Sequence, residues 1–93
     1  MKIRPGETEI RGAWIQVGNK LVKDDACRRI DHLVSTYLDK IGHDVSGWDT
    51  LYRDPASGWY WELVYPQSDL QGGGPPTLRK LSLDEVHVKY GLA

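Results

Sequence analysis

The sequence has one cysteine, no phenylalanine and no surplus of either charge. Each shortage narrows what the chain can do. Cys27 has no partner for an internal disulfide, and one thiol cannot build a common zinc site. With 12 Lys and Arg against 13 Asp and Glu, the net charge is −1. Nucleic-acid binders usually carry a positive excess or a clustered basic face, and the excess is missing. No apolar run approaches the roughly 20 residues of a membrane span. The opening "MKIRPGETEIRG" lacks the apolar core of a secretory signal. The expectation is a protein of the cytoplasm, with no nucleic-acid or membrane partner.

What the chain does have is rings. Four Trp and five Tyr stand among 93 residues that are 40% apolar and 27% charged. That length and balance predict one domain, 1–93, with a modest core. Every ring here carries a polar handle, which suits a half-exposed binding face.

Periodicity orders the elements. "TEIRGAWIQV" (8–17) reads as one strand, with Gly12 marking a bulge. Gly18-Asn19 before "KLV" fits a two-residue hairpin turn. Asp24 or Asp25 caps a long helix. Its apolar stripe is Ala26, Ile30, Leu33, Val34, Tyr37, Leu38 and Ile41, with Gly42 as the C-cap. "GWDTLYRD" (47–54) and "WYWELVY" (59–65) read as a hairpin around the turn "PASG" (55–58). The second of these strands is apolar on both faces, which places it centrally in the sheet. "LRKL" (78–81) is a short strand. Ser82 and Glu85 form a capping box for a short last helix ending at Gly91. The fold class is α+β: a mostly antiparallel sheet of about five strands, from two hairpins plus a short strand. One long helix packs on it, followed by a short C-terminal helix. Which sheet face meets the long helix stays open.

Chemical signatures are weak. "QGGGPP" (71–76) lacks the lysine and following helix of a phosphate loop, and two of its residues have no N–H. It reads as a loop stiffened by proline, with little entropy to lose on binding a protein. His32, His43 and His87 form no metal-binding spacing. Cys27 in the first turn of a helix, followed by Arg28 and Arg29, has the setting that lowers a thiol pKa. A small buried cysteine is the plainer reading. Glu62 on the central strand is either solvent-facing or paired with an arginine such as Arg53 or Arg79. The aromatics sit beside Asp54, Glu62 and Asp69, the wrong sign for stacking on a polyanion and suited to a protein interface.

The segments "RGAW" (11–14), "SGWDTLYRDP" (46–55), "YWELVYPQS" (60–68), "GGGPP" (72–76) and "LSLDEVHVKYG" (81–91) resemble, in order and spacing, the immunity protein 27 family of bacterial polymorphic toxin systems. The likeness runs from about Ile10 to Gly91. It implies a small cytoplasmic protein that binds a secreted toxin's C-terminal domain and protects the producing cell. It assigns no chemical role to any residue. From the residues themselves, Tyr65, Gln67, Asp69 and the segment Gln71, Gly72, Gly73, Gly74 are the first candidate contacts. Asp49, Asp54 and Trp59 at the hairpin end come next. The expected protein has no cofactor, metal or catalytic residue, and is a monomer or weak homodimer when free. A self-associating adaptor and a small-ligand enzyme using Cys27 or Glu62 are the alternatives.

Overall fold

The computed structural model describes residues 3, 4, 6–68 and 73–91. Among the described residues, seven strands and two helices follow one another. They are β1 (Glu9–Arg11), β2 (Trp14–Val17), β3 (Lys20–Lys23), α1 (Asp25–His32), β4 (Asp39–His43), β5 (Thr50–Arg53), β6 (Tyr60–Val64), β7 (Thr77–Leu81) and α2 (Leu83–Tyr90). A π-helical turn, Leu33–Tyr37, extends α1. The fold is the α+β class read from the sequence. Its main sheet is antiparallel, in the order β1-β7-β6-β5-β4, with β6 at the centre.

The five strands are not the five anticipated. Residues 8–17 do not form one bulged strand. Gly12 separates β1, which pairs with β7, from β2, which pairs only with β3 in a two-stranded sheet of its own. A methyl group at Gly12 would lie 2.7 Å from both Cys27 Sγ and the Pro76 carbonyl oxygen. Glycine is there to let two backbones and a thiol meet, not to bulge a strand. The two-residue turn at Gly18-Asn19 forms as expected, with Gly18 at φ +62°.

The long helix also stops early. Asp24 caps it, accepting from the Cys27 N–H at 2.8 Å. Ser35 Oγ and Thr36 Oγ1 each donate, at 2.7 Å, to the carbonyl one turn back. Hydroxyls that bond to the preceding turn bend and weaken a helix. The last turn widens, with the Leu38 N–H donating to Leu33 O at 2.7 Å, and Leu38 is already extended. Gly42 is therefore not a C-cap. It lies in β4, the edge strand paired with β5, where the register slips between Lys40 and Gly42.

Both faces of the sheet are covered. On one, Ile30, Leu33 and Leu38 pack on Ile10, Tyr52, Trp61, Leu63 and Leu78. On the other, Val86 of α2 packs on Leu51 and Leu81, beside Tyr60 and Tyr90. This is why β6 is apolar on both sides. The capping box of Ser82 and Glu85 forms, and Gly91 ends α2 at φ +69°. The sheet edges are blunted in two ways: β1 has three residues, and β4 carries the bulge.

Candidate protein-binding site

The second face of β6 carries Glu62, fully buried. In register, Glu62 lies opposite Arg79 on one side and Leu51 on the other. Its carboxylate accepts from Arg79 Nε at 2.8 Å and from the Tyr90 hydroxyl at 2.6 Å, and Lys89 Nζ lies 2.6 Å away. Burial alone would raise its pKa. The bonds from Lys89, Tyr90 and Arg79 outweigh it and hold the carboxyl below its ordinary range. Of the two arginines read as partners, Arg79 is the one. The pairing settles Glu62 as the charged pin between the sheet and α2.

Lys89 reaches further, donating to Asp49 Oδ2 at 2.7 Å. Asp49 closes the loop between β4 and β5. Within that loop Asp44 Oδ1 accepts from Ser46 Oγ (2.7 Å), from the Gly47 N–H (3.0 Å) and from the Asp49 N–H (3.3 Å). Ser46 Oγ in turn accepts from the Trp48 N–H at 3.1 Å. Such short-range turns need residues that bond their own backbone and a glycine free to take positive φ, here Gly47 at +78°. The result is a braced loop with Val45 fully exposed and Trp48 63% exposed at its tip. Trp48 and Asp49 meet Tyr65 and Ser68 around a hollow of about 250 Å³.

The candidate contacts divide between two ends of the sheet. Asp49, Tyr65 and Gln67 lie at the end where β5 starts and β6 finishes. Tyr65 is half-buried, packed on the core beneath it, and Gln67 is exposed. Asp54 and Trp59 lie at the other end, around the β5–β6 turn. Asp54 is only 4% exposed. It accepts from the Tyr37 hydroxyl at 2.7 Å and from the Ala56 N–H at 2.8 Å. Burial pushes its pKa up, but those bonds and others from Ser57 hold it below the usual range. It braces a turn and offers no free carboxylate. Trp59 is half-exposed, with Lys80 Nζ 2.8 Å from its ring centroid.

The glycine loop behaves differently from the exposed, stiffened loop expected. Asp69, Gln71 and Gly72 lie outside the described residues. Gly74 and Pro75 are buried. Gly74 has φ +76°, and a side chain there would run into the Gln67 carbonyl. Pro76 O accepts from the Gly12 N–H at 2.8 Å. Gly73, at φ +89°, is partly exposed. These residues anchor the loop's exit to the body.

Cys27 is buried, its thiol donating to Ala13 O at 3.3 Å. Burial pushes the thiol pKa up, against the lowering expected at a helix N-terminus. The plainer reading of a packed cysteine holds. His32, His43 and His87 lie on α1, β4 and α2.

Trp48, exposed at the tip of the β4–β5 loop, is not among the candidate contacts read from the sequence. The reading of residues 47–54 as one strand places it within the sheet, whereas β5 begins only at Thr50. The signal was the run Asp44-Val45-Ser46-Gly47, whose turn chemistry ends the strand before Trp48.

Among curated proteins and solved structures, none matches the chain. A family model described as Immunity protein 27 does, over residues 16–82 of 93. The matched span runs from β2 through β7 to the cap of α2. It includes the braced loop, Tyr65 and the Glu62–Arg79 pair. The chain belongs to the immunity protein 27 family.

Proposed function

We propose that this protein binds the toxic domain of a cognate secreted toxin and neutralises it by occupancy, without chemistry of its own. Family membership over residues 16–82 carries this reading. The geometry of the braced loop supports a location for the contact. Trp48 and Val45 stand out from a loop already locked by Asp44, so little conformational entropy is left to lose on docking. Tyr65, Gln67 and Ser68 complete the patch beside them. Large aromatic anchors of this kind dominate protein interfaces, with polar neighbours around them. Such an inhibitor acts in the cytoplasm of the producing cell, where an incoming toxin finds its target. No described helix is long and apolar enough to cross a membrane.

The test uses the toxin domain encoded beside this chain. Mixed with it in equal amounts, the protein should abolish the toxin's activity and co-elute as one complex. A toxin that stays fully active in its presence contradicts the reading.

A further inference from the structure

The hairpin of β2 and β3 stands apart from both cores. Neither core cluster includes any of its side chains, and Ile15, Val17 and Leu21 are 48%, 59% and 64% exposed. A lone two-stranded hairpin is marginally stable, and a third strand is what usually secures one. Its two edges differ. β3 carries Lys20 and Lys23, the kind of side chain that guards an edge, and Lys23 Nζ donates to Asp31 of α1 at 2.8 Å. Residues 12–19, which contain β2, have no charge and no proline. β1 is short and β4 is bulged, so among the described residues β2 is the strand edge left without a guard.

The backbone of that edge is set to pair. Val17 and Lys20 flank the two-residue turn, so they and the pair Ile15–Val22 exchange the hairpin's hydrogen bonds. Trp14 and Gln16 therefore aim their N–H and C=O groups away from β3. Among the described residues, no backbone hydrogen bond reaches either one from outside the hairpin. A second β2, run antiparallel with Gln16 opposite Gln16, fits this edge. Ile15 of each copy then lies opposite Val17 of the other, in the non-hydrogen-bonded position where side chains come closest. Both pairs share the face of Val22, because opposite residues point the same way. Trp14 falls opposite Gly18, which has no side chain to obstruct the ring. No charged groups meet along the joint, and a net charge of −1 leaves little repulsion between copies.

We propose that this edge is a self-association surface, on which two copies of the chain join β2 to β2 in an antiparallel, twofold-symmetric, four-stranded sheet. A second copy is favoured over a strand of another protein because the edge complements itself in both backbone phase and side chains. The same patch serves on both copies, as a twofold interface requires. The joint of four residues is about 13 Å long, short for a standard interface, so the dimer is weak and reversible. This surface is independent of the toxin-binding reading, and a toxin strand is the rival occupant.

The experiment is sedimentation velocity of the free protein from about 10 µM to about 1 mM, the range that suits a small interface. Amide hydrogen exchange on the same samples reads Trp14 and Gln16 individually. The expected result is a mass rising towards twice the monomer, with exchange at both amides slowed severalfold at the top of the range. Ile15→Lys, at an exposed position, should weaken association about tenfold by removing an apolar contact and guarding the edge. Leu83→Lys, at an exposed apolar position on α2, should leave association unchanged. A protein that stays monomeric throughout overturns the proposal. So does a dimer in which those two amides exchange as in the monomer, or one that Leu83→Lys weakens as much as Ile15→Lys. If the free protein stays monomeric but added toxin domain slows the same two amides, the edge belongs to the toxin and self-association through it is overturned.

Discussion

Lys89 on α2 donates to the Asp49 carboxylate across 2.7 Å, and the same ammonium lies 2.6 Å from the buried Glu62. One side chain thus ties the proposed contact loop to the pin between helix and sheet. Burial would lower its pKa, but Asp49 and Glu62 together raise it, so the ammonium stays charged.

Glu62→Gln should be among the most damaging conservative changes. It leaves Lys89 and Arg79, each about a third exposed and each with a second carboxylate nearby, facing a neutral group, so the loss is that of charge-assisted hydrogen bonds, about 1.5–3 kcal/mol. Urea unfolding should show a lower midpoint with an unchanged slope. The family-matched span holds Glu62 and Arg79 but ends before Lys89 and Tyr90.

Gly12→Ala should destabilise by about 1–3 kcal/mol, the usual cost of overpacking. Its methyl would collide with Cys27 Sγ and the Pro76 carbonyl. The double variant Gly12→Ala with Cys27→Ala should recover part of the loss, since one of the two clashes is gone. Thermal melts of the two proteins side by side check this.

Acid should weaken the fold over a defined window. The hydrogen bond from Arg29 holds the Glu7 carboxyl down to about 2, against the opposing effect of burial. The unfolded chain takes up its proton near the ordinary carboxylate value. Folded Glu7 takes it up only at lower pH, so protons favour the unfolded state between the two. The contribution is complete above about pH 5 and lost as pH falls towards 2, on the order of 1–3 kcal/mol. Glu62 and Asp54, both held low, act in the same direction. Glu7→Gln should flatten the fall in melting temperature between pH 5 and 3.

Trp48→Ala should leave stability within about 0.5 kcal/mol of wild type, because the ring is solvent-facing. Toxin affinity should fall about 30-fold or more, as for an aromatic anchor worth at least 2 kcal/mol. Asp44→Ala keeps the ring but frees the loop, and should cost severalfold in affinity.

Much of the fold is legible from local pattern. The hairpins, the capping box at Ser82 and the central place of β6 follow from turn residues and two-sided hydrophobicity. The end of α1 does not. Leu38 and Ile41 keep helical spacing beyond Tyr37, yet Leu38 packs into the core as extended chain and Ile41 sits in edge strand β4. Pairing with β5, a contact distant in sequence, overrides the stripe. Ser35 and Thr36 were the available sign of a weakening helix. The site was harder to read, because the sequence reading places Asp49 with Asp54 and Trp59 at the hairpin end, whereas the four-residue strand β5 separates it from them and leaves it at the opposite end of the sheet. Asp54 looked like a surface charge because its partner Tyr37 is seventeen positions away.

The most direct test of the central claim is a titration of the toxin domain with this protein, following heat of binding and toxin activity in the same series. The account predicts a single transition at one molecule per toxin, with activity lost in step with occupancy and Trp48→Ala shifting both together. Binding that leaves the toxin active, or full inhibition far below equal amounts, would contradict neutralisation by occupancy.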